Sequence, residues 1–125
     1  MKDFEFSDEF CRFIQTTIPA VPVAELLLLL RERRDAALTA EEVLTKLGPG
    51  VALAEVAKHL ELLEARGLLI REEKRYRYRP ESELAPHADG LAMAYSQKPV
   101  TLIRVIYALR DSSIQSFADA FKLRK

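Results

Sequence analysis

Residues 26–30 are five consecutive leucines, with Glu25 before them and Arg31 after. At helical spacing a run of this kind spreads apolar side chains over nearly the whole circumference rather than along one stripe. A helix over 23–35 carrying it must be buried on more than one face, so the chain has to supply packing partners around it. The charges agree with a helix, since Glu25 lies toward its start and Arg31, Arg33 and Arg34 lie at its end, the order the helix dipole favours. The run is too short to cross a membrane.

The chain has 125 residues, enough for one domain with one core. Nineteen basic residues balance nineteen acidic ones, for a net charge of +0. No global field therefore draws it toward DNA, RNA or an anionic membrane, and such binding has to come from charge gathered on one surface. A single cysteine, Cys11, excludes an intrachain disulfide. Cys11, His59 and His87 are too far apart in sequence to form a metal motif, so no metal site is expected. Free cysteine is commonly buried, and only Arg12 stands near to favour a thiolate; Cys11 therefore reads as a core residue before a redox sensor. The start, "MKDFEFSDEF", is acidic and lacks the pattern of a signal peptide, which points to the cytoplasm.

Phe4, Phe6, Phe10, Phe13, Ile14 and Ile18 suit a short helix over 4–18, with Ser7 as its N-cap. Thr39 and Glu42 form a capping box that opens a second short helix containing Val43, Leu44 and Leu47, and "GPG" at 48–50 ends it. Leu53, Val56, Leu60 and Leu63 mark a helix over 52–66, with Gly67 placed for a left-handed C-cap. "LLIREE" and "RYRYRP" then read as two strands joined by a tight turn at 72–74. Beyond Pro80 a weaker helical segment covers 83–97, with Pro86 in its first turn and Gly90 a weak point inside it. Pro99 opens the next helix, and Ser112 or Ser113 caps a last one with Ile114, Phe117, Ala118 and Phe121.

The stretch "VAKHLELLEARGLLI" and the hairpin after it resemble the core of winged helix-turn-helix proteins, the MarR- and ArsR-like transcriptional regulators in particular. The resemblance covers residues 23–80, with Val56, Leu60, Leu63, Gly67, Leu68 and Ile70 at the family's buried positions. It implies a mainly α single domain over 1–125 with one β-hairpin as the wing. Residues 1–18 and 83–125 would be flanking helices that build a homodimer. It also implies double-stranded DNA as partner, with the third helix in the major groove.

On that helix the matching positions are Ala52, Ala54, Glu55, Ala57, Lys58 and His59, and the alanines have nothing to offer a base edge. The hairpin differs, since Arg71, Lys74, Arg75, Arg77 and Arg79 outnumber Glu72 and Glu73. Alternation sends Arg75, Arg77 and Arg79 to one face and Tyr76 and Tyr78 to the other. Two explanations stand open for those arginines: contact with a nucleic-acid backbone, or a charged edge strand guarded against aggregation. The expected DNA-binding residues are Lys58, His59, Arg75, Arg77 and Arg79. A winged-helix module that binds a protein instead of DNA is the alternative. No phosphate-binding glycine loop and no nucleophile with a base partner is present, so neither enzymatic activity nor a cofactor is expected. The apolar surface of the terminal helices either packs back on the domain, joins a second copy, or receives a different protein.

Overall fold

The computed structural model describes residues 6–48 and 50–111. Phe4, the expected last helix and the basic end of the chain lie outside the described residues. The described chain is mainly helical: α1 (Asp8–Thr17), α2 (Val21–Glu32), α3 (Ala40–Leu47), α4 (Leu53–Ala65), α5 (Ala85–Gln97) and α6 (Pro99–Asp111). Three short strands, β1 (Leu38–Thr39), β2 (Leu69–Glu72) and β3 (Arg75–Tyr78), form one antiparallel sheet in the order β1-β3-β2.

α2 is the helix that touches most of the others, packing on α3, α4, α5 and β3. Val23, Ala24, Leu26, Leu27 and Leu30 are buried on it, while Leu28 and Leu29 are half-buried. The leucine run is thus enclosed on more than one face, as its all-round apolarity requires. The helix begins at Val21, two residues before the expected start, because Pro22 fits its first turn, where a missing N–H costs nothing. Glu25 therefore sits inside the helix, and its carboxylate accepts the Tyr95 hydroxyl of α5 at 2.9 Å.

Local signals set several boundaries. The Ser7 hydroxyl accepts the Phe10 N–H at 3.0 Å and opens α1. At α3 the Thr39 hydroxyl accepts the Glu42 N–H at 3.1 Å, and the Glu42 carboxylate accepts the Thr39 N–H at 2.9 Å. That closes the capping box and satisfies two amides otherwise left without a helical partner. α4 ends where Gly67 adopts φ 83°. There the Leu68 N–H bonds the Leu63 carbonyl at 3.0 Å and the Gly67 N–H bonds the Glu64 carbonyl at 2.9 Å. This pair of bonds is a Schellman motif, with Leu63 and Leu68 both fully buried at the corner.

The hairpin loop consists of Glu73 and Lys74, because Glu72 pairs with Arg75. β1, which the sequence pattern did not reveal, sets Leu38 opposite Tyr76 and Thr39 opposite Arg75. The sheet therefore has three strands where the sequence suggested a hairpin alone.

α1, α5 and α6 pack on one another, and α2 meets α5 to join them to the sheet-bearing part in one core. Arg66, at the end of α4, ties to α1 by hydrogen bonds of 3.3 Å to the hydroxyls of Thr16 and Thr17. Burial of Leu102, Val105, Ile106 and Leu109 on α6 shows that this flanking helix packs back on its own domain. Val100 and Tyr107 of the same helix stay exposed, at 67% and 51%. The chain bends by 100° between α1 and α2, and among the described residues no single helix is long and apolar enough to cross a membrane.

Gly90 lies under the Phe10 ring, and a Cβ there would stand 3.4 Å from the ring edge. That distance is ordinary van der Waals contact, so a methyl group fits. Gly90→Ala is expected to raise stability by about 0.5–1 kcal/mol through reduced backbone entropy. Urea unfolding of the variant measures the effect.

Candidate nucleic-acid interface

The two faces of the hairpin separate by the period-two rule. Tyr76 and Tyr78 are buried, and Tyr78 lies opposite the buried Leu69. The guanidinium of Arg34, beyond the end of α2, sits 5.7 Å from the centre of the Tyr78 ring. Burial pushes the Tyr78 phenol above its ordinary pKa, and its hydroxyl has no hydrogen-bond partner among the described residues.

On the outer face stand Arg75 and Arg77, with Glu72 opposite Arg75 and Ile70 opposite Arg77. Arg79 continues the row past the end of β3, its N–H bonded to the Leu68 carbonyl at 2.9 Å. Each of these arginines is paired with a carboxylate. Arg75 Nη1 is 3.1 Å from Glu42 Oε1 and also donates to the Ala37 carbonyl at 3.2 Å. Arg77 pairs with Glu72 across the hairpin. Arg79 Nε reaches Glu81 Oε2 at 3.3 Å.

Glu42 and Glu81 are held below the usual carboxylate pKa, Glu42 chiefly by the Thr39 N–H with Arg75 beside it. Glu81 is lowered by its own backbone N–H first and then by Arg79 and Arg77. Both are therefore ionised at neutral pH. The surplus of positive charge read along the hairpin sequence is reduced in space, because Glu42 arrives from α3 and Glu81 from the turn after β3. Sequence distance conceals the first of these, whereas the second stands only two positions after Arg79.

Cations without an ion-pair partner among the described residues stand elsewhere on the hairpin. Arg71, near the tip of β2, and Lys74, in the loop, are both exposed, and neither is in the set Lys58, His59, Arg75, Arg77 and Arg79. Both count toward the basic excess of the hairpin sequence, but alternation along β3 selects only Arg75, Arg77 and Arg79 for its outer face.

On α4, Lys58 is exposed and His59 half-buried. Burial holds the His59 imidazole below its ordinary pKa, with Glu55 opposing that shift and Lys58 adding to it. His59 is thus neutral at pH 7 and offers a hydrogen bond, not a charge. Ala52, Leu53, Ala54, Glu55, Lys58 and Glu61 are all exposed on this helix, with Leu53 at 40%. No side chain caps its N-terminus.

Cys11 is buried in α1, where desolvation raises its thiol pKa and the Asp8 carboxylate adds to the shift. His87 stacks on Phe13 with ring centres 5.2 Å apart. Among the described residues no three His, Cys, Asp or Glu side chains gather closely enough to hold a metal ion.

Among the described residues the Tyr78 hydroxyl is buried with no hydrogen bond of good geometry, and the Arg31 guanidinium lies near it, so deleting it removes a poorly satisfied polar group and leaves the packed ring. Tyr78→Phe is expected to change stability by less than about 1 kcal/mol. Tyr78→Ala is expected to lower it by about 3–5 kcal/mol. Thermal and urea unfolding separate the polar and packing contributions. No protein-family model, curated protein or solved structure matches the chain.

Proposed function

We propose that residues 23–80 form a winged helix-turn-helix and that the protein is a regulator that binds double-stranded DNA, chiefly through its hairpin. The observation that carries this reading is the order of elements. α2, β1, α3, α4 and the β2–β3 hairpin follow one another, and β1 closes on β3 in the order β1-β3-β2. α3 and α4 pack as neighbours across a short turn, the arrangement that presents a second helix to the major groove. In this reading Arg75, Arg77 and Arg79 face the phosphates with Arg71 and Lys74 at the hairpin tip. Lys58 supplies a backbone contact and His59 a neutral hydrogen bond from α4. A homodimer would set two such units on one duplex, with the exposed Val100 and Tyr107 of α6 covered by the second copy.

A second reading rests on α4. Its exposed surface of alanines, Leu53, Glu55 and Glu61 suits a protein better than base edges. An open groove of about 380 Å³ between α1 and α5, with Phe6, Phe10 and Met93 in its lining, adds apolar surface for such a partner.

Salt dependence tests the first reading. A phosphate-dominated complex loses affinity with a log–log slope of about −0.9 for each phosphate contact. Replacing Arg75, Arg77 and Arg79 with alanine is then expected to flatten the slope by about 2–3 and to weaken binding more than about tenfold. Undetectable affinity of the unaltered protein for duplex DNA at low salt rejects DNA binding. Recovery of a stoichiometric protein partner in its place supports the second reading.

A further inference from the structure

We infer that the outer face of β3 is a row of three oxyanion subsites that the protein's own carboxylates now occupy, and that a nucleic-acid strand engages the hairpin by displacing them. This rests on the nucleic-acid reading above and adds how the site is masked and which ligands open it.

Guanidinium groups pair with carboxylate and phosphate through the same fork of N–H donors. Alternate residues of a strand lie roughly 6.6 Å apart. Arg75, Arg77 and Arg79 therefore leave the backbone in line, at a pitch comparable with successive phosphates along one nucleic-acid strand. One carboxylate oxygen meets each guanidinium, and each acid comes from a different place: Glu42 from α3, Glu72 from β2 and Glu81 from the turn after β3. Arg71, Lys74 and Lys58 have no such partner among the described residues, whereas every arginine of the row has one, and outside the row Arg31 pairs with Asp89.

Every member of the three pairs is partly open to solvent, from 36% for the Arg79 side chain to 62% for that of Glu81. Exposed pairs of this kind contribute little net stability, so exchanging one carboxylate for one phosphate is close to neutral. A single anion therefore gains almost nothing at this face, whereas a chain of phosphates replaces three partners in one encounter.

Glu42 differs from the other two acids because Thr39 also holds it, through its N–H at 2.9 Å. On displacement Glu42 stays on α3 and Arg75 swings away. Glutamine at that position still serves a capping box, so a charge-removing substitution leaves the start of α3 intact.

The test compares the unaltered chain with the triple variant Glu42→Gln, Glu72→Gln, Glu81→Gln. A control, Asp8→Asn, Glu9→Gln, Glu32→Gln, makes the same charge change on α1 and α2. Binding is read by fluorescence anisotropy at low salt with a labelled random-sequence duplex and a labelled single strand, and by competition with heparin, inorganic polyphosphate and orthophosphate. Circular dichroism verifies that each variant folds.

The triple variant is expected to bind nucleic acid about tenfold or more tighter than the unaltered protein, and the control to gain less than about threefold. Orthophosphate is expected to compete poorly with all forms. Adding Arg75→Ala, Arg77→Ala and Arg79→Ala to the triple variant is expected to abolish the gain.

Binding by the unaltered chain with no advantage of the triple variant over the control overturns the masking and leaves the nucleic-acid reading standing. Binding by the triple variant alone supports the masking. Absence of binding by every form overturns both. If heparin or polyphosphate competes as well as nucleic acid, the assignment of the row to a nucleic-acid strand is overturned.

Discussion

The fold depends on enclosing α2. With apolar side chains around most of its circumference, this helix cannot rest on one neighbour and leave its other faces to water. α3, α4 and β3 cover part of it and α5 covers another part, so elements distant in sequence are held by their shared contact with one helix. Removing buried side chains as large as Leu26 or Leu27 would open voids between parts that meet nowhere else so extensively. Burying leucines on both flanks of one helix lets a chain of this size keep a single core instead of two small ones.

Where a boundary is set by local chemistry, the sequence was legible. Ser7, the Thr39 and Glu42 pair, and Gly67 each solve a hydrogen-bonding problem created by a helix end, and each stands where the bonding requires it. The start of α2 was misjudged because Pro22 reads equally as a breaker and as a first-turn residue, and only the packed helix decides between them. β1 was invisible because two residues carry no alternation. The face to which each hairpin side chain points was legible from period two alone. The electrostatics of that hairpin were not, since the acid that meets Arg75 comes from a helix 33 positions away.

The candidate surface accordingly looks less basic in space than in sequence. Its arginines leave the strand in a row but are paired, the cations without an ion-pair partner among the described residues sit nearer the tip, and α4 presents alanines where a sequence-reading helix would carry amides and guanidinium groups. On the DNA-binding reading proposed above, this distribution suits a backbone better than bases. It also accounts for how a chain of +0 net charge can keep a charged face without carrying excess positive charge through solution.

A two-residue strand has almost no means of choosing its own register, because a slip of one position leaves it as many backbone bonds to make elsewhere. Thr39 removes that freedom. It faces Arg75 in the sheet and is also the residue from which α3 begins, with both its hydroxyl and its N–H committed to Glu42. Sliding β1 by one place would pull the first turn of α3 apart. The helix thus acts as a stop for the strand, and alignment of the sheet is inherited from a helix terminus rather than from the pairing of strands.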